Sequence, residues 1–150
     1  MGIKILAKNR KASHNYFLLD KFEAGLVLRG SEIKSIRAGQ ISLKEAYIKT
    51  DGYEAWLMNA HIAPYDPASS QNHAPTRERK LLLNRKEIDQ LWDSVRLKGL
   101  TIVPLSVYLK NGRAKIEIAL AKGKRNYDKR QVLAKKDAQR EMERAINKRE

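Results

Sequence analysis

Arg77, Arg79 and Lys80 arrive together at the end of a loop that contains Pro and Ser, just before the apolar triplet Leu81, Leu82 and Leu83. Cationic groups spaced this closely can neutralise neighbouring phosphates of a nucleic acid. The same cluster can also be a solvated charge run that needs no partner. Two further basic clusters, residues 8–11 and 122–130, fall at the edges of expected strands, and that repetition favours a polyanion as partner. Glu23 is the acidic residue of most interest, because a carboxylate on a basic sheet can accept hydrogen bonds from a base or a ribose 2′-hydroxyl. Its simpler role is an ion pair with Lys21 or Arg10.

Other chemistries find little support. His14, His61 and His73 are scattered without metal-ligand spacing, so no metal site or other cofactor is expected. His61 is expected to be packed or hydrogen-bonded, and His73 either reaches RNA or stabilises its loop. Gly30, Gly39, Gly99 and Gly123 are isolated and build no phosphate loop. The spacing of Asp20, Glu23, Asp66 and Glu117 brings no carboxylate pair together for a metal-dependent nuclease. Cysteine is absent, which removes disulfides, thiolate nucleophiles and Cys-type zinc sites. An enzyme is therefore not expected.

Charge points the other way. The 150 residues carry 31 Lys and Arg against 17 Asp and Glu, a net charge of +14 that attracts polyanions and is weakened by salt. Residues 122–150 hold 11 of the basic and 5 of the acidic side chains, so a cationic tail is set off from a moderately basic body. The length suits one domain with one core, here divided into a barrel over 1–121 and a tail over 122–150. No apolar run approaches the ~20 residues that span a bilayer, and no signal-peptide pattern stands at the N-terminus. A cytoplasmic protein without a membrane partner is the expectation.

The elements that must position these residues can be read in order. A short strand with Ile3 and Ile5, a basic turn and a long strand from Tyr16 to Leu28 come first, with Gly25 marking a bulge or bend. A short helix follows, capped by Ser31, ended by Gly39, and showing Glu32, Lys34 and Arg37 to solvent. Asp51-Gly52 predicts a two-residue hairpin with Ile48 opposite Ala55, Lys49 opposite Glu54 and Tyr47 opposite Trp56. Asn111-Gly112 predicts another, joining 101–110 to 113–121, with Val107 opposite Ile116, Leu105 opposite Ile118 and Tyr108 opposite Lys115. Tyr108 beside Lys115 on the open face is a candidate nucleotide platform as well as a plain surface pair. The 63–76 loop is long for a compact domain. Helix 84–98 has an Asn84 cap, Glu87 at the reciprocal position, and a stripe of Ile88, Leu91, Trp92 and Val95, with Gly99 as its stop. In the tail Ala134, Ala138, Met142 and Ile146 recur every four residues. That thin seam predicts a segment disordered alone and helical when bound. Five or six strands with flanking helices predict a mainly β fold, an OB-like barrel.

Several stretches taken together resemble the SmpB, or SsrA-binding protein, family. They are Asn9-Arg10-Lys11-Ala12, Glu23-Ala24-Gly25, Gly30-Ser31-Glu32-Ile33-Lys34-Ser35, Asn72-His73 with Pro75, Arg79-Lys80-Leu81-Leu82-Leu83, Lys98-Gly99-Leu100-Thr101, and Gly123-Lys124 followed by Asp128-Lys129-Arg130. The resemblance implies a non-catalytic adaptor that binds the tRNA-like domain of tmRNA and delivers it to stalled ribosomes in trans-translation. It implies tmRNA contacts at Glu23, Leu82 and Lys115, and with the basic clusters adds Asn9, Arg10, Lys11, His14, Arg77, Arg79 and Lys80. For the tail it implies entry into the empty mRNA channel and the decoding centre of the small ribosomal subunit, through Lys122, Lys124, Arg125, Tyr127, Asp128, Lys129 and Arg130. Elongation factor Tu and alanyl-tRNA synthetase would join through the RNA, and the protein would act as a monomer. A ribosomal or general single-strand RNA-binding protein and an RNA-processing enzyme are the competing classes.

Overall fold

Strand β2, Tyr16–Leu26, runs along the barrel with Phe22, Ala24 and Leu26 turned to the core and Glu23 and Gly25 to the outside. This period-2 alternation is what a sheet with one buried face requires. The computed structural model describes residues 3–65 and 73–124. Around β2 stand β1 Ile3–Lys8, β3 Ile41–Ser42, β4 Tyr47–Thr50, β5 Ala55–Met58, β6 His61–Ile62, β7 Arg79–Leu82, β8 Thr101–Lys110 and β9 Arg113–Gly123. Three helices, α1 Ala12–Asn15, α2 Gly30–Arg37 and α3 Arg85–Lys98, flank them. The main sheet has the order β1-β8-β9-β2-β7-β5-β4, and β3 pairs with β6 in a small ribbon. It curls until β4 packs against β8. The result is the expected OB-like barrel, with Leu57, Leu81, Leu91, Val107, Ile116 and Ile118 at its centre.

Two local signals hold as expected. Asn84 accepts from the Glu87 backbone N–H at 2.9 Å while Glu87 accepts from Asn84 N–H at 3.2 Å, and Gly99 closes α3 in the left-handed region. Asn111 and Gly112, at φ 54° and 77°, form the tight turn that pairs Tyr108 with Lys115 and Val107 with Ile116.

Other expectations need correction. The basic turn before β2 winds into α1, β2 stops at Leu26, and the strands number nine among the described residues. The irregularity in β2 lies between Leu18 and Lys21, not at Gly25. The β8–β9 register shifts between Pro104 and Ser106, so Pro104 and not Leu105 faces Ile118. Proline has no N–H to give the ladder, which makes this a natural place for a bulge. In the β4–β5 hairpin Ile48 faces Leu57 and Thr50 faces Ala55. The turn is longer than two residues because Asp51 Oδ1 accepts from the N–H groups of both Tyr53 and Glu54, each at 2.9 Å. A register moved by two keeps every side chain on its expected face. Strand β9 runs on to Gly123, past the boundary drawn at 121. The expected conformational behaviour of the 125–150 tail lies outside the described residues.

The largest correction concerns α2. Glu32 was expected in solvent and is fully buried, beside a fully buried Arg79. Arg79 Nε donates to Glu32 Oε2 at 2.8 Å, Arg77 Nη2 donates to Oε1 at 2.6 Å, and the backbone N–H of Arg29 donates to Oε1 at 2.8 Å. Arg79 also donates to the carbonyls of Ala60 at 2.7 Å and Pro75 at 3.1 Å. Ser31, expected as the cap, instead bonds His73 Nδ1 at 2.8 Å, and His73 Nε2 donates to the Ile62 carbonyl at 2.8 Å. Helix α2, the β5–β6 corner and the chain entering β7 are thus tied at one point.

Burial alone would raise the Glu32 carboxyl, but the hydrogen bonds from Arg77, Arg29 and Arg79 outweigh it and lower it to about 2. A carboxyl lowered on folding contributes stability above its unfolded pKa and loses that contribution as pH falls toward the folded value. Glu32→Gln leaves Arg79 buried without its counter-charge. Urea unfolding at pH 7 should therefore show a loss of about 3–5 kcal/mol, and the difference from the parent should shrink as the pH is lowered from about 4.5 toward 2. An equal difference at both ends of that range would show that the carboxylate charge is not what holds the corner.

Candidate nucleic-acid interface

The outer face of the sheet is set by strand register. Gly25 of β2 lies opposite Lys115 of β9 on one side and Leu82 of β7 on the other, while Tyr108 of β8 lies opposite Lys115. These residues form one row across four strands. Glu23 stands one step along β2 from Gly25 on the same face, opposite Glu117. The sheet thus places together three residues that are far apart in the chain, Glu23, Leu82 and Lys115.

Each member is shaped by its neighbours. A Cβ on Gly25 would lie 3.2 Å from Leu82 Cβ, so any other residue here would make Leu82 give way by a few tenths of an ångström. Leu82 is 56% exposed, unusual for leucine, because its neighbour Leu81 takes the inward position in β7. The Tyr108 hydroxyl donates to Glu23 Oε2, and Lys110 Nζ stands 3.5 Å from the same oxygen. The Tyr108 hydrogen bond holds the Glu23 carboxyl below its ordinary value against the opposing effect of burial, with Lys110 and Lys115 adding to the lowering. Burial first, and then Glu23, push the Tyr108 hydroxyl up. Glu23 is therefore a fixed, ionised acceptor that remains partly open to solvent.

The other candidates separate from this row. Arg79 is fully buried against Glu32 and cannot reach RNA, and Arg77 is bound to the same carboxylate. Lys80 points outward but pairs with Glu54 at 2.6 Å. The expected cationic finger at 77–80 is thus mostly a structural clasp. His73 is buried in its loop and His61 is exposed, the reverse of what the sequence favoured for His61. Arg10, Lys11 and His14 are exposed around α1, and Asn9 Nδ2 donates to the Pro104 carbonyl at 3.0 Å. The span of β2 from Tyr16 to Gly25 separates α1 from the Gly25 row by about 30 Å. Lys122 and Lys124 belong to this far end, where Lys124 Nζ donates to the Ser13 carbonyl at 2.9 Å and stands 5.2 Å from the Phe17 ring centroid. Arg125, Tyr127, Asp128, Lys129 and Arg130 lie outside the described residues. Among the described residues no group of three His, Asp or Glu side chains could hold a metal ion, and no helix is long and apolar enough to cross a membrane.

The sequence matches the family described as SmpB protein over residues 6–148. The chain belongs to the SmpB family. It is 55% identical over 146 residues to an SsrA-binding protein of Sulfurihydrogenibium sp., covering 97% of this chain and 96% of that one. It is 56% identical to an SsrA-binding protein of Shouchella clausii, with coverages of 97% and 94%. A chain from the solved structure described as "tmRNA-SmpB: a journey to the center of the bacterial ribosome" superposes with a TM-score of 0.66 at 43% identity, over 78% of this chain and 82% of that one.

For this SmpB-family chain, chemistry alone singled out Glu23, while Leu82 entered only through the family likeness. Tyr108 was singled out in a different role. At 8% exposure its ring is covered, so it serves as the hydroxyl that aims Glu23 and not as an open stacking platform. Its pairing with Lys115 was the available signal. Tyr108→Phe removes the principal cause of the lowered Glu23 carboxyl. An NMR titration should show the Glu23 pKa moving up toward the ordinary glutamate range, and an unchanged value would remove Tyr108 from the site.

Proposed function

We propose that this chain binds the tRNA-like domain of tmRNA and carries it to stalled ribosomes for trans-translation, as a non-catalytic cytoplasmic adaptor acting as a monomer. The observation that carries the reading is the single row of Lys115, Gly25 and Leu82 with Glu23 beside it. Lys115 neutralises a phosphate. Glu23 accepts from a 2′-hydroxyl or a base amine, and Leu82 offers an apolar contact to an unstacked nucleotide. The relatives named above as SsrA-binding proteins support the choice of RNA, and the tmRNA-SmpB structure supports the ribosomal setting.

The far end of the barrel takes a different task in this proposal. Lys122 and Lys124 lead from β9 into the 125–150 segment, where Arg125, Tyr127, Asp128, Lys129 and Arg130 continue the basic run. That segment probes the empty mRNA channel and the decoding centre through phosphate contacts, with Tyr127 free to stack on a base. Elongation factor Tu and alanyl-tRNA synthetase meet the complex through the RNA.

Glu23→Ala gives a discriminating test. Removing a negative charge from a basic face strengthens non-specific attraction to RNA, so weaker binding by this variant reports a lost specific hydrogen bond. Glu23→Ala and Lys115→Ala should each weaken binding to the tRNA-like domain by about tenfold or more, corresponding to at least ~1.4 kcal/mol. Only Lys115→Ala should lower the slope of log affinity against log salt, by about 1. A chain ended after Lys124 should bind as the parent does and fail to support peptide tagging. Parent-like affinity in both point variants would refute the face, and normal tagging by the shortened chain would refute the channel role.

A further inference from the structure

Strand β1 forms one edge of the main sheet and carries two of its most exposed apolar side chains, Ile3 at 54% and Ile5 at 52%. Their direction follows from the register. Ile5 lies opposite Tyr108 and Ile3 opposite Lys110, so both stand on the face that holds Lys115, Glu23 and Leu82. The bulge between Ile5 and Ala7 then turns the strand, and Ala7 pairs with the fully buried Val107. The isoleucines are outside because the register keeps them there. Nothing in the packing of the core calls for them.

We infer that Ile3 and Ile5 are a second apolar nucleotide contact on the same RNA-binding face. Ile5 continues the row of Tyr108, Lys115, Gly25 and Leu82 across a fifth strand. Four strand spacings separate it from Leu82, or about 19 Å. The two apolar contacts therefore meet different nucleotides of one folded RNA. Between them lies a floor carrying Lys110 and Lys115, which suits the phosphates that join those nucleotides. Sequence-specific recognition of RNA works largely through unstacked bases, whose faces pack against side chains. The edge itself is guarded by Lys4, Lys8 and the bulge, so what remains open is the apolar surface of Ile3 and Ile5 on the sheet face, and RNA lying across this face covers it.

The inference rests on the RNA reading above, and its test separates the two. Full-length parent, Glu23→Ala, and the double variant Ile3→Ala with Ile5→Ala are titrated with the tRNA-like domain of tmRNA over a range of salt. The double variant should bind about tenfold more weakly with the parent's salt slope, since no charge is removed, and its thermal unfolding should stay close to the parent's. In a second measurement, benzoylphenylalanine placed at Ile5 should photocrosslink to the RNA at nucleotides different from those reached from Leu82. Tight parental binding, weakened by Glu23→Ala but not by the double variant, with no crosslink from position 5, would overturn the inference and leave the functional reading standing. A parent that shows no preference for this RNA would overturn both. Self-association of the free parent that the double variant abolishes, with RNA binding unchanged, would mean that the β1 edge joins copies of the chain and would overturn the inference.

Discussion

The architecture depends on one buried carboxylate. Glu32 sits between the guanidinium groups of Arg79 and Arg77, and Arg79 also closes the carbonyls of Ala60 and Pro75. An ion taken out of water costs several kcal/mol, and the attraction repays that cost only when the geometry is good and the remaining donors find partners. Here the donors of Arg79 are nearly all used. The bond set fixes where α2, the β5–β6 corner and the start of β7 stand relative to one another. With Arg79 held inward, the alternation of β7 sends Lys80 out, Leu81 in and Leu82 out. The apolar member of the row, Leu82, is therefore aimed from three residues away by a contact on the inner side of the strand.

The face itself is built by register and not by loops. Four antiparallel strands contribute one residue each to the row, and the tight Asn111-Gly112 turn fixes the alignment of two of them. Gly25 leaves the space into which the Leu82 side chain packs. Tyr108 adds a buried hydroxyl that orients Glu23 without filling the surface. Positions on a paired sheet move little, which suits recognition of a folded partner whose phosphates and riboses have set spacings. The basic residues around α1 and the root of the tail lie at the other end of β2.

Much of this was legible in the residues. Hairpin chemistry gave the β8–β9 alignment near its turn, and capping residues gave α3, because those signals are local. The Asp51-Gly52 hairpin was misaligned because a side-chain acceptor enlarged the turn. Nothing local distinguishes Arg79 from Lys80. A charged side chain is presumed exposed unless a partner is known, and the partner, Glu32, lies on a different element. Leu82 stands in an apolar triplet whose members look alike in the sequence, and only the alternation of β7 turns it outward. Contacts made across long chain separations were what the sequence could not display.

The central claim is that this surface reads a folded RNA by its shape and its riboses, beyond general attraction to phosphate. Competition at near-physiological ionic strength tests it most directly. The full chain is bound to the tRNA-like domain of tmRNA and challenged with a large molar excess of unstructured RNA. The account predicts that the complex survives, since an unstructured strand offers the row only phosphate contacts and occasional base contacts. Displacement in proportion to the mass of competitor would contradict it.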